Sequence, residues 1–483
     1  MKPLNTVPLE VKMEKISRRT LVAATASLAA FLQSLVPWKT KGVQAFEYAP
    51  PVNLPYSKAR EEMNQLILRA EKPQVVKICE NVYSAVGFAF ATMIMVVTTD
   101  GLVIIDTTES TSACKQIMEE FRKISDKPVR TIIYTHFHPD HWYGTKSFFV
   151  PGIDVIAHSD FTKEAKRWSS MGQSALIRAA AMYGLFLPEE STRVPWVTAD
   201  PSVVTAQLKW EMPNPENLVW PTQTFKDQYS FQLGGKTFNL HHAPGETADQ
   251  VIVEIPEYQV VCPADNYYAC FPNLYTIRGT TARPVLDWAA CQDKMIKMEP
   301  EFLVPGHGFP LIGKERIKER LENYRDAILH VHRLALEAIQ QFKPIDEVIG
   351  QASLPAHLAD LPYLKQYYGY IPFCVRSIYQ NYVGWFDGDP VNLSPLSRKE
   401  LGVDVLKLAG SVEKVLEHAE TAQREGRHQA VLELCEMILK NDPKNRTARL
   451  MKIVSLLALG KATENSPAAN YYTTYAAIEK TKL

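Results

Sequence analysis

The ten residues Thr135 to Gly144, THFHPDHWYG, place three of the chain's 12 histidines and one aspartate between His136 and His141. Packing rarely concentrates imidazoles in this way. Neutral imidazole and carboxylate are the ligands that zinc-like ions prefer. On a strand exit, His136 and His138 lie two residues apart and point to the same side. Pro139 then turns the chain and carries Asp140 and His141 round to a second position beside the first. Two such groups from one loop suit two metals ~3.5–4 Å apart, a spacing that one hydroxide can bridge. A histidine-rich surface turn is the bland alternative. The ordered His-x-His-x-Asp-His pattern directly after an apolar strand argues against it.

Four residues cannot complete two sites, so later loops must contribute. Three follow strand-like runs and carry suitable groups: APGETADQ with Glu246, PADN with Asp265, and VPGHGFP with His307. Alone, each reads as an ordinary turn or strand end. In this order after the histidine motif they form a consistent ligand set.

The elements that must position these loops follow from periodicity. VVKICENVYSAVGFAF and ATMIMVVTTDGLVIIDT are β-rich runs broken at Asp100-Gly101. SACKQIMEEFRKI has helical spacing, with Ile117, Phe121 and Ile124 on one side. TIIY and DVIAHSDF read as strands, the second leading into a helix near Phe161 to Trp168. FQLGGKTFNLHHAPG reads as a hairpin, QVIVEI and QVVCPADN as two further strands, and Leu187 to Phe225 as irregular. This strand–helix–strand alternation predicts an α/β layer architecture. After Gly308 the pattern becomes helical. Residues 405–460 have the grammar of one tetratricopeptide-like hairpin, with a Gly at the first turn and Asn-Asp-Pro at the second. A single such unit must pack on a neighbour or on a second subunit.

Composition narrows the function classes. Across 483 residues, Lys+Arg 53 equals Asp+Glu 53, so no bulk charge points to nucleic acid. No charge-free apolar run of about 18 residues follows residue 45, so no stable membrane anchor is expected. Ser17-Arg18-Arg19-Thr20-Leu21 precedes LVAATASLAAF, and Val43-Gln44-Ala45 offers small residues for cleavage. Residues 1–45 therefore read as a twin-arginine-type export signal, and a periplasmic or secreted location is expected. The seven cysteines are scattered without a CxxC pair and read as ordinary thiols. No phosphate-binding glycine loop is present.

Taken together, the sequence resembles the metallo-β-lactamase superfamily, and more closely its zinc-dependent alkylsulfatases. The resemblance rests on THFHPDHWYG, APGE, ADNYYACFPNLYTIRGT, PGHGFP, YYGYIPFCVRSIYQNYVGWFDGDPVNLSPL and ENSPAANYY. It implies an αββα sandwich over 46–325 and a helical dimerisation domain over 326–483, hence a homodimer. It also implies two Zn2+ per chain and hydrolysis of an amphiphilic sulfate ester. By resemblance, His136, His138 and Glu246 hold the first zinc, Asp140, His141 and His307 the second, and Asp265 bridges them. Arg278 matches the arginine that grips the sulfate. It and Asp140 are the catalytic candidates, with Asn273 and Tyr275 as further substrate contacts.

The chain departs from the family pattern at several places. Asp265 stands where glutamate is usual, Phe373 where a histidine is usual, and Thr92 where an asparagine is frequent. The chain also stops at Leu483, without a C-terminal sterol-carrier-like domain. Loss of the histidine keeps open a hydrolase of the same fold acting on a carboxylic ester, lactone, phosphoester or carbon–halogen bond. A catalytically idle metal-binding protein is the third reading, disfavoured by the complete ligand set.

Overall fold

A computed structural model describes residues 73–185, 187 and 218–483 of the chain. The segment 1–45 expected to direct export lies outside them, as does most of the stretch expected to be irregular.

Two sheets form the centre. The first runs β1 (Gln74–Cys79), β2 (Val82–Val86), β3 (Met93–Val97), β4 (Leu102–Ile105), β5 (Val129–Ile133), β6 (Asp154–His158) and β7 (Gln223–Phe225), in chain order. β1 to β4 are an antiparallel meander, and β4 to β7 are parallel. The second sheet holds β8 (Gln228–Leu233), β9 (Lys236–His242), β10 (Val251–Ile255), β11 (Val260–Ala264), β12 (Phe302–Pro305) and β13 (Leu311–Ile312), again as sequential neighbours.

Side-chain alternation explains the layering. In β3, Ile94 and Val96 face the second sheet, while Met93 and Met95 face outward. β4 repeats this with Val103 and Ile105 inside and Leu102 and Ile104 outside. Both faces are covered, so these strands read as unbroken apolar runs rather than alternating ones. The outer face of the first sheet packs on helices α1 (Thr111–Arg122) and α2 (Phe161–Ser170) through Ile117, Phe121, Phe161 and Trp168. α1 begins at Ser110, whose side chain accepts from the Ala113 amide. α3 (Gln173–Tyr183) follows α2. The outer face of the second sheet packs on α4 (Val285–Lys297) and α5 (Lys314–Gln340) through Trp288, Met295, Leu321 and Tyr324. The result is the expected αββα sandwich.

Helices continue after it: α6 (Ile371–Val383), α7 (Arg398–Ala409), α8 (Val412–Arg424), α9 (His428–Asn441), α10 (Arg446–Ala462) and α11 (Ser466–Lys480), with three short helical turns before α6. α8 to α10 form the anticipated hairpin grammar around Val415, Ala419, Val431 and Cys435. Its neighbour is internal. α10 packs on α11, and α11 packs on α3 of the sandwich. No described helix is long and apolar enough to cross a membrane.

Two sequence expectations need correction. Gln223–Phe225, expected to be irregular, is β7, because it closes the open edge of β6 with the Thr222 hydroxyl accepting from the Val155 amide at 2.8 Å. The expected boundary at 325/326 falls inside the unbroken helix α5. The seven cysteines are free thiols.

The turn after the histidine motif is tightly built. A Cβ on Gly144 would sit 2.0 Å from the Thr107 carbonyl and 2.6 Å from Cys114 Cβ, both fixed parts of the α1 entry. Gly144→Ala is therefore expected to destabilise the fold by about 1–3 kcal/mol, the usual cost of overpacking, read as a lowered urea midpoint.

Candidate metal centre

Every candidate ligand follows the C-terminal end of a strand, and these ends meet at one edge of the sandwich. β5 ends at Ile133, before the histidines, and Pro139–His141 form a short 3-10 turn. Glu246 follows β9, Asp265 follows β11 and His307 follows β12. The sheets are tied together beside the site. Val251 N donates to the Thr135 carbonyl at 2.8 Å, and Thr92 N donates to the Gly306 carbonyl at 2.7 Å.

All seven candidates come together. His136 Nε2 and His138 Nδ1 lie 2.9 Å apart, and Glu246 Oε1 is 3.9 Å from His138 Nδ1. On the other side, Asp140 Oδ2 is 3.5 Å from His141 Nε2 and 3.4 Å from His307 Nε2. Asp265 reaches both groups, with Oδ2 3.7 Å from His136 Nε2 and 3.2 Å from His307 Nε2. Three overlapping triads result, His136/His141/Asp265, Asp140/His141/His307 and His138/Glu246/Asp265, each with ligand atoms within 4.8 Å of one another. The second triad coincides with one expected set, the first joins His136 to His141 across the two expected sets, and Asp265 belongs to two of the three. A Cβ on Gly306 would lie 2.5 Å from Asp265 Oδ1, so the turn before His307 must be bare.

The electrostatics call for a cation. His141 Nε2 and Asp265 Oδ1 are 3.4 Å apart and buried, yet neither makes a hydrogen bond. Buried polar atoms normally find partners, so such orphans mark an absent one. Burial, together with neighbouring His141, holds His136 well below its usual pKa; burial and Arg278 do the same for His138. Both are thus neutral and fit to ligate. Burial would raise Asp140, but His141 and His307 bring it down to about 2, so it stays ionised. Asp265 is likewise held well below the carboxylate range by His307 and His141, against its burial.

An outer ring of residues, missed in the sequence, fixes the ligands. Asp106, just after β4, accepts from Thr135 N at 2.9 Å and sits 2.7 Å from His141 Nδ1, leaving Nε2 to face the site. His307 Nδ1 contacts the Phe90 carbonyl at 2.7 Å. Arg283 forms a buried ion pair with Glu246 Oε2. Asn266 accepts from the Glu246 amide and donates to the Ala243 carbonyl, locking the Glu246 and Asp265 loops together. Glu109 is buried beside Asp140 and His307, and desolvation pushes it up to about 8. The acidic run DTTE after β4 was the available signal for Asp106 and Glu109.

The anion-side candidates divide. Arg278 reaches the cluster, its guanidinium donating to His138 Nε2 at 2.7 Å. Tyr275 does not, because its hydroxyl donates to the Tyr368 carbonyl at 2.9 Å. Asn273 is buried with its amide unpaired, and neither Asn273 nor Tyr275 lines the pocket over the cluster. Thr92 donates its hydroxyl to the Pro305 carbonyl. Phe373 packs against Tyr275 and Tyr370, with ring centroids 5.4 and 4.7 Å away. His242 stacks on His158 with ring centroids 3.8 Å apart, and His241 Nε2 lies 3.3 Å from Glu254 Oε2.

Known proteins share this organisation. Residues 86–307 match the metallo-beta-lactamase superfamily, and residues 344–481 match the alkyl sulfatase dimerisation family. A linear primary-alkylsulfatase of Pseudomonas sp. is 34% identical over 387 residues, covering 78% of this chain and 72% of that protein. The alkyl/aryl-sulfatase of Saccharomyces cerevisiae is 26% identical, and the match covers 82% of this chain and 62% of that protein. In architecture, the chain resembles an inverting sec-alkylsulfatase from Pseudomonas sp., with a TM-score of 0.76 at 22% identity, over 95% of this chain and 78% of that one. With the ligand-bearing sandwich and the helical region both matched in order, the chain belongs to the alkylsulfatase family within the metallo-β-lactamase superfamily.

Proposed function

We propose that the chain is a zinc-dependent hydrolase of alkyl sulfate esters, holding two Zn2+ through His136, His138, Glu246, Asp265, Asp140, His141 and His307. The carrying observation is the convergence of these seven side chains with Arg278 at one sheet edge. Four imidazoles and three carboxylates are a donor set that suits zinc, and the orphaned His141 Nε2 and Asp265 Oδ1 are atoms a cation would satisfy. When bound, such ions supply Lewis acidity and lower the pKa of water towards ~7.

The protein's own groups supply the rest. Asp140 stays ionised and, about one-quarter exposed, can accept a hydrogen bond from water and orient it. Arg278 is buried and charged, so its planar guanidinium can pair with two sulfate oxygens and offset the charge that leaves. Asp265 in place of glutamate is one methylene shorter, yet its Oδ2 lies 3.7 Å from His136 Nε2 and 3.2 Å from His307 Nε2. The alternative reading, another bond in a neutral ester or halide, draws on Phe373, whose ring offers no hydrogen bond to an anion.

Assembly and location belong to the same reading. Trp385, Val391 and Leu408 are 74%, 76% and 88% exposed within the region matching the dimerisation family, which supports a homodimer. The paired arginine before LVAATASLAAF supports export to the periplasm or beyond.

Zinc-loaded protein is expected to release sulfate from dodecyl sulfate or from a shorter secondary alkyl sulfate, and to lose that turnover with a chelator. No sulfate from a protein that holds two zincs would move the assignment to another ester or halide. Asp106→Asn should weaken zinc binding about 10–100-fold, as loss of a partner behind a ligating histidine does. Competition with a chelating dye measures this, and an unchanged affinity would remove Asp106 from the metal centre.

A further inference from the structure

Over the ligand cluster lies a small pocket. His138, Asp140, Glu246, Asp265 and His307 form its floor, and Phe90, Tyr183, Tyr268 and Tyr368 its aromatic wall. The hydroxyls of Tyr183 and Tyr368 meet at 3.1 Å on that wall, from residues 185 positions apart in sequence. Burial holds both phenols above their usual pKa, so each keeps its proton, and within the pair one hydroxyl donates to the other. Burial works against the charge on Arg278, but Tyr183, Tyr368, Asp140 and Asp265 lie close enough to raise its pKa instead. Arg278 itself does not line the pocket; it stands behind the floor, its guanidinium donating to His138 Nε2 at 2.7 Å.

The backbone behind each tyrosine is held by the end of the helical region. Asn470 Nδ2, in α11, donates to the Met182 carbonyl at 2.9 Å, one residue before Tyr183. Asn465 Nδ2, at the cap of α11, donates to the Tyr368 carbonyl at 2.8 Å. Tyr471 donates to the Arg178 carbonyl, and Arg178 donates to the carbonyls of Ile277 and Arg278. One short segment, Asn465 to Tyr471, thus braces Tyr183, Tyr368 and Arg278 together.

We propose that the Tyr183–Tyr368 hydroxyl pair is the second anion-recognition element of this pocket, donating to sulfate oxygens beside Arg278 where Phe373 offers no donor. Asn465 and Asn470 are its positioning residues. This rests on the sulfate-ester reading and assigns the work of the missing imidazole to a different part of the fold.

Tyr183→Phe and Tyr368→Phe test it with a secondary alkyl sulfate as substrate and inorganic sulfate as competitive inhibitor. Each loses a hydrogen bond to a charged group, so KM and the sulfate inhibition constant should both rise about 10- to 100-fold. Zinc content and melting temperature should stay at the wild-type values. Asn470→Asp, which keeps the shape but removes the donor, should raise the sulfate inhibition constant in the same direction. KM and sulfate inhibition unchanged in both phenylalanine variants would overturn the proposal, as would a loss confined to kcat with zinc released. A wild-type protein that releases no sulfate would instead refute the sulfatase reading. Should Tyr368→Phe fail to fold, Tyr183→Phe and Asn470→Asp carry the test.

Discussion

The structure depends on gathering four imidazoles and three carboxylates into one edge of a packed sandwich. His136, His138, His141, Glu246, Asp265 and His307 are all 5% exposed or less. Burying so many polar groups without full pairing is costly, and counter-charge at their centre is what makes the arrangement tenable. The fold meets this demand through topology. Strands β4 and β5 of one sheet and β9, β11 and β12 of the other end on the same side, so five loops converge. The apolar layer between the sheets fixes their relative position, and the Val251–Thr135 and Thr92–Gly306 hydrogen bonds transmit it to the loops.

Around the ligands, each orientation is set by a partner that comes from elsewhere in the chain. Asp106 aims His141, the Phe90 carbonyl aims His307, and Arg283 takes one oxygen of Glu246 so that the other faces His138. The helical region extends this support. α11 reaches back to α3 and to the turn before α6, so the segment associated with dimerisation also forms part of the pocket's frame. The region matching the dimerisation family is therefore physically continuous with the site.

Much of this was legible from the amino-acid order, for a definite reason. Metal ligands on strand exits carry short, ordered spacings, so His136 to His141 could be read directly and Glu246, Asp265 and His307 by their loops. Apolar runs located the strands because both faces of each sheet are covered. The supporting residues were not legible. Asp106 and His141 are separated by 35 positions, Tyr183 and Tyr368 by 185, and Tyr275 and Asn465 by 190. Only tertiary packing joins such pairs. Tyr275 illustrates this, since the resemblance implied a substrate contact there, while its hydroxyl donates to the Tyr368 carbonyl. β7 was missed because a three-residue strand has no periodicity to read, and it exists only because β6 leaves an edge to be paired.

The central claim is that these seven side chains together hold two ions with Asp265 between them. Its most direct test is the zinc-to-chain ratio, by plasma emission spectrometry, of protein saturated with zinc and freed of excess by gel filtration. The account predicts a ratio of about two, as for a binuclear site. A ratio of one or less at saturation would contradict it.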